Sequence, residues 1–216
     1  AILESVVYYT VIDKIATNVT ERTFASWCKD IRNIVTIEDL DRFVKGTLIP
    51  TVNDWKLDNK SNFLRLGLNS MQQYRIKFIL GKITAYVDAL RLGKTTVDDL
   101  TSYTQTAVEI EHIMPQTCAD KELYGMNDED FSVYINRLGN LTLLENSINK
   151  SIHNDVYANK SKAYKQSKFE LVNQGHDTAI NRTNSLLFAW SDWNKRSIEE
   201  RQEMLYRLSE MIWEMS

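Results

Sequence analysis

Cysteine, proline and glycine are all scarce in this chain of 216 residues, which contains two, two and seven of them respectively. Cys28 and Cys118 form no metal-ligand pair by spacing, which excludes a structural zinc ribbon. They also provide no disulfide framework, so a reducing compartment is the simpler reading. With Pro50 and Pro115 as the only prolines, few positions interrupt a helix, and long helices are expected over a many-stranded β architecture. No apolar run approaches the roughly 20 residues that span a bilayer, and no basic region precedes an apolar segment at the N-terminus. A soluble, cytoplasmic, mainly α protein without a membrane partner is expected. Positive charge is not in excess either: 26 Lys and Arg stand against 29 Asp and Glu, a net charge of -3. That excludes nonspecific coating of nucleic acid by the whole surface, so any polynucleotide contact must be local.

Hydrophobic residues make up 43% of the chain, enough for one sizeable core or two small ones. The chain starts at Ala1, already within a helical pattern, and reads as a piece of a longer protein. Ile2, Leu3, Val6, Val7, Val11, Ile12 and Ile15 recur at three-to-four spacing, and a second segment carries Phe24, Trp27, Cys28 and Ile31. Thr36 with Asp39 predicts a capping box for a third helix ending near Gly46 to Pro50. Residues 53 to 69 are polar and ambiguous. From Ser70 to Leu92 the pattern predicts a helix with Met71, Ile76, Ile79, Leu80, Ile83, Val87 and Leu90 inward, broken at Gly93.

The periodicity then changes. Val108 to Ile113 is short and β-branched with alternating apolar residues, predicting a strand that ends at Pro115. A short helix is expected near Asp128 to Asn136, a second strand over Leu141 to Glu145, and a helix capped by Asn146 or Ser147 that continues, after a break near Asn154, to Lys168. Two helices close the chain. One lies near Asn181 to Trp193; the other follows Ser197, which forms a Ser-x-x-Glu capping box with Glu200 and leads an apolar stripe of Leu205, Leu208, Ile212 and Trp213.

The chemistry concentrates in Glu111-His112-Ile113-Met114-Pro115, with Asn140 in Leu138-Gly139-Asn140-Leu141-Thr142 and then Asn149. Glu111 supplies a hard oxygen suited to one Mg²⁺ or Mn²⁺ ion, and Asn149 offers an amide oxygen, with water and phosphate filling the remaining positions. His112, neutral near pH 7, is the candidate base that deprotonates the attacking water. Successive strand residues face opposite ways, so a shared pocket for Glu111 and His112 requires the strand to distort there. Asn140 is better placed to pin this loop by side-chain-to-backbone bonds than to bind metal. His153, four residues after Asn149, either approaches the phosphate or is solvated. Five lysines against Asp155 alone between Ser147 and Lys168 form either a solvated face or a phosphate track, in which Lys160 is the preferred contact. The tryptophans are expected mostly in the core, and His176 reads as a loop residue.

These elements, in this order, resemble the HNH, or His-Me finger, endonuclease motif. Lys160, Tyr164 and Ser167, then Trp193, Ile198, Arg201 and Trp213, extend the resemblance to the C-terminal nuclease domain of GmrSD-type type IV restriction enzymes, from about residue 70 to the end. The resemblance implies a small ββα-metal motif embedded in the mainly α chain, and the expected organisation is a helical scaffold over 1–100, a nuclease core over 101–170, and C-terminal helices over 171–216 packing on it. It also implies His112 as general base, Glu111 and Asn149 as metal ligands, and Asn140 as the residue orienting the base's loop. The expected activity is hydrolysis of foreign, often modified DNA in antiviral defence. Many such enzymes pair this domain with an N-terminal nucleotide-hydrolysing domain carrying Asp-Gly-Gln-Gln-Arg. Neither that motif nor a P-loop occurs here, so nucleotide-driven regulation would belong to a missing segment or another chain. Two rival readings remain: a catalytically degenerate helical DNA-binding or regulatory module, and a nuclease directed at RNA.

Overall fold

Helical periodicity over the first 63 residues becomes a set of short helices in the computed structural model, which describes residues 2–91, 99–118, 120–173 and 190–214. Two units divide the chain, residues 1–63 with 213–216 and residues 64–212. The first contains α1 (Ile2–Ile12), α2 (Thr17–Ile31), α3 (Ile37–Phe43), a π turn over Val44–Leu48, α4 (Ile49–Trp55) and α5 (Asn59–Phe63). Its core holds Val6, Ile12, Phe43, Val52 and Phe63, and Tyr8 stacks on Trp213 with ring centroids 4.0 Å apart. Thr36 and Asp39 form the expected reciprocal cap. The helix does not stop at Gly46 to Pro50, however. The π turn lets Ile49 N donate to Val44 O and sets Pro50 in the first turn of α4, where a missing backbone donor costs little.

In the second unit the long helix is α6 (Gln73–Arg91), followed by α7 (Thr101–Thr104). Ile76, Ile79, Leu80, Ile83 and Val87 are buried, at about 1.5–3 kcal/mol for each fully buried large aliphatic side chain. Leu90, expected inward, is exposed, whereas Asp88 is buried because Tyr103 Oη and Glu170 N donate to its two carboxylate oxygens at 2.9 and 2.7 Å. The Gly93 break and His176 lie outside the described residues, as does most of the helix expected near 181–193.

The sheet consists of β1 (Val108–His112) and β2 (Leu141–Glu145), antiparallel, with Glu111 opposite Thr142 and His112 opposite Leu141. Between them lie a 3-10 turn over Lys121–Tyr124, α8 (Asp128–Tyr134) and a second 3-10 turn over Leu138–Asn140. After β2 come α9 (Asn146–Ile152), α10 (Tyr157–Tyr164), α11 (Glu170–Asn173) and α12 (Lys195–Trp213). Neither proposed cap for α9 acts as one: Glu145 occupies the cap position without a side-chain bond, and Asn146 is already helical. The last helix starts before Ser197, because Asn194 Oδ1 accepts from Ser197 N at 3.1 Å. Among the described residues the architecture is mainly helical with a small two-stranded antiparallel sheet. No helix among the described residues is long and apolar enough to cross a membrane.

Candidate active site

A pocket of about 390 Å³ opens where β1 meets α9 and α10, lined by Glu109, Glu111, His112, Asn149, His153 and Lys160 among others. Glu111 and His112 both reach it, although the strand does not distort between them. Regular pairing runs through His112, and alternation sends the two side chains to different partners. Glu111 Oε1 accepts from Lys160 Nζ at 2.7 Å and from Tyr164 Oη at 2.9 Å, both on α10. His112 Nε2 lies 3.3 Å from Asn136 Oδ1, just beyond α8.

Burial governs the protonation of both. It pushes the Glu111 carboxyl up, with Lys160 and the Tyr164 hydroxyl pulling the other way. It pushes the His112 imidazole down, assisted by the nearby Lys160 charge and opposed by Asn136, so the ring is neutral near pH 7. The Tyr164 phenol is driven well above its ordinary value by burial and by the neighbouring Glu111 carboxylate.

Lys160 is not where a phosphate track would need it. It is 1% exposed, and its ammonium also donates to His112 O at 2.7 Å. Its stem runs through the interior, so the charge must find a buried partner rather than solvent. His153 is exposed at the end of α9, with φ 42° and ψ −128°, a backbone state that glycine adopts more readily. Asn149, in the first half of α9, donates from Nδ2 to Glu109 Oε2 at 2.7 Å. Asn140 is fully buried. Its Oδ1 accepts from Met114 N at 2.7 Å and from Trp193 Nε1 at 2.9 Å, while Nδ2 donates to Ile135 O at 2.9 Å. It thereby pins the turn that follows His112.

Behind this turn, α12 holds the approach to β2. Arg201 is buried and donates to Gly139 O at 2.9 Å and Leu141 O at 2.6 Å, while Gln202 Oε1 accepts from Gly139 N at 2.6 Å. Burial lowers the guanidinium to about 10, which leaves it charged at neutral pH. Gly139 is required there, since a Cβ would stand 2.2 Å from Ile198 O.

The family model for the C-terminal domain of GmrSD restriction endonucleases matches residues 53–208, well over half of the chain. The chain belongs to this family. A comparison with curated proteins gives no match. The matched region of this GmrSD-type domain contains every pocket residue named above.

Among the described residues, no group of three or more His, Cys, Asp or Glu side chains could hold a metal ion. A cation site in this GmrSD-type domain would therefore rest on few protein ligands, with amide oxygen among them. Glu111 and Asn149 fit that requirement. Both line one pocket and both carry oxygen donors, the donor type of a hard divalent cation rather than of zinc. Three residues escaped the sequence reading of the site: Glu109, Asn136 and, as a direct partner of Glu111, Tyr164. Alternation along β1 could have found Glu109, which shares a strand face with Glu111. Nothing local in the sequence marks Asn136, which is 24 residues from His112.

Proposed function

We propose that this chain is a divalent-cation-dependent endonuclease of the ββα-metal, or His-Me finger, type, acting on DNA phosphodiesters in restriction of foreign or modified DNA. The observation that carries the reading is the convergence of Glu111 and His112 from β1 with Asn149 from α9 and His153 at its end on one pocket. The order of β1, β2 and α9 and the family membership support it. His112, kept neutral by burial, takes a proton from water positioned against the phosphate. Glu111 and Asn149 would hold one Mg²⁺ or Mn²⁺, which when bound supplies charge neutralisation at the phosphate and the departing 3′ oxygen. Asn140 positions the turn that follows the base. His153 and Lys150, both exposed on the pocket lining, are the groups suited to a backbone phosphate. A nucleotide-hydrolysing domain or partner chain would supply regulation.

The test is nicking of supercoiled plasmid DNA with Mg²⁺ or Mn²⁺. Wild type should convert the plasmid, and His112→Ala should lose at least about a hundredfold in rate while keeping its fold. Equal cutting by the variant removes His112 from the mechanism. A matched RNA substrate in the same assay decides the sugar.

A second reading is favoured by one observation: Glu111 already faces a cation, Lys160. In that reading the domain is a catalytically degenerate binding or regulatory module. It would show no Mg²⁺-linked stabilisation dependent on Glu111 and Asn149.

A further inference from the structure

Asn149 is useful to a cation only if its amide presents oxygen. An asparagine amide has two nearly isosteric ends, and what sets its orientation is the hydrogen-bonding partner beside it. That partner is Glu109. An ionised carboxylate accepts and never donates, so an amide held against it must turn its NH₂ toward it. Asn149 does so, with Nδ2 2.7 Å from Glu109 Oε2, while Asn146 Nδ2 donates to the other oxygen, Oε1. Each carboxylate oxygen of Glu109 thus holds one amide from the first turn of α9, which leaves the oxygen as the end of the Asn149 amide turned away from Glu109, and both residues line the pocket.

We propose that Glu109 is a positioning residue that selects the amide rotamer of Asn149 in which Oδ1, rather than the NH₂, is offered to a divalent cation beside Glu111. The inference rests on the reading of Glu111 and Asn149 as ion ligands. Glu109 contributes acceptor geometry and not a bond to the ion: each of its oxygens accepts one α9 amide. Its place on β1 makes this possible: alternation puts residues 109 and 111 on the same face, and α9 follows β2 directly, bringing Asn146 and Asn149 over that face.

The experiment is Mn²⁺ binding to the whole chain, with free Mn²⁺ counted by electron paramagnetic resonance and Mg²⁺-linked thermal stabilisation as a parallel readout. Glu109→Leu should weaken Mn²⁺ binding by about tenfold or more, the usual effect of losing a group that orients a ligand. Glu109→Gln retains an acceptor oxygen without the charge and should stay within about threefold of wild type, a span of roughly 0.65 kcal/mol. In an Asn149→Ala background, Glu109→Leu should cause no further loss, since there is no amide left to orient.

Three results overturn the proposal. They are wild-type binding by Glu109→Leu; a loss in Glu109→Gln as large as in Glu109→Leu, which makes charge the operative property; and a further loss from the Leu substitution in the Asn149→Ala background, which makes Glu109 a ligand itself. A wild-type chain that binds no Mn²⁺ refutes the ion-site reading and the proposal together, whereas wild-type binding with any of the three results refutes the proposal alone. Circular dichroism on each variant separates loss of binding from loss of fold, and the Gln variant keeps the test decisive if the Leu variant does not fold.

Discussion

Replacing Lys160 with methionine removes one charge and keeps most of the side-chain volume, so the experiment reads electrostatics rather than a cavity. The Lys160 side chain is 1% exposed and that of Glu111 is 7% exposed, with Nζ and Oε1 2.7 Å apart. Taking away one partner of such a pair leaves an uncompensated buried charge and costs about 3–5 kcal/mol. The orphaned His112 carbonyl, which also accepts from Nζ at 2.7 Å, adds to the loss. Against a typical domain stability of about 5–15 kcal/mol this is a large fraction, and urea denaturation resolves it. The double variant Lys160→Met with Glu111→Gln removes both charges and should recover at least about 2 kcal/mol of the single-variant deficit. The pH dependence has a definite sign. Burial holds the Glu111 carboxyl above its ordinary value, so the folded state keeps that proton more tightly than the unfolded chain does. The associated stability is complete below the ordinary carboxyl value and is lost as pH rises through the folded value. Lys160 opposes that loss, so the deficit of Lys160→Met should be smaller in acid and grow toward neutrality. A deficit below about 1 kcal/mol, the scale of an exposed pair, or one that does not vary with pH, would refute the reasoning.

Thr142 Oγ1 is buried without a hydrogen-bond partner, directly across the ladder from Glu111, so Thr142→Val should stabilise the fold by up to about 1 kcal/mol in urea denaturation. Gly67→Ala should destabilise by about 1–3 kcal/mol, because its Cβ would stand 2.2 Å from Asn136 O in the 66–68 segment that pairs with residues 136–138; the His112 ring resonances in NMR should move with it. The His112 ring should titrate below the ordinary 6.5 in NMR, and the acid limb of DNA cleavage should follow it, with a flat rate from there to neutrality. Because that folded value is depressed, the linked stability is complete above the unfolded value and is lost as pH falls through the folded one.

Local chemistry made the strands legible. The alternation of Val108 to Ile113 and the apolar run Leu141 to Glu145 map onto β1 and β2 within a residue, because each register position is fixed by which face is buried. The Thr36 cap was equally readable, since both partners lie within one turn. What failed was of two kinds, competing local geometry and partners far along the chain. Pro50 does not end a helix because a π turn absorbs the missing donor, and Asn194 caps the last helix one turn before Ser197 by accepting from the Ser197 backbone amide. Lys160 sits in a lysine-rich segment that reads as a solvated face or a phosphate track; its burial follows from a carboxylate 49 residues upstream. Asn149 was legible as a polar residue on α9, but its pairing with Glu109, 40 residues away, was not.

The second unit places its candidate chemistry by side chains that capture backbone, and this explains why residues far along the chain bear on two adjacent strand positions. Lys160 holds the carbonyl of His112, Asn140 holds the amide of Met114, and Arg201 with Gln202 holds Gly139 and Leu141. A two-stranded sheet is marginal by itself, with two edges and little area to bury. Here α10 secures one end of β1 and α12 secures the approach to β2, so the turn between His112 and Pro115 is determined from both sides. An exposed loop could not hold an imidazole and a carboxylate on one pocket with comparable constancy, because its conformational entropy would spread their positions over several ångströms. The charge chemistry of Lys160 and Glu111 and the amide chemistry of Asn140 therefore serve one end: each fixes a main-chain atom within two residues of the candidate base.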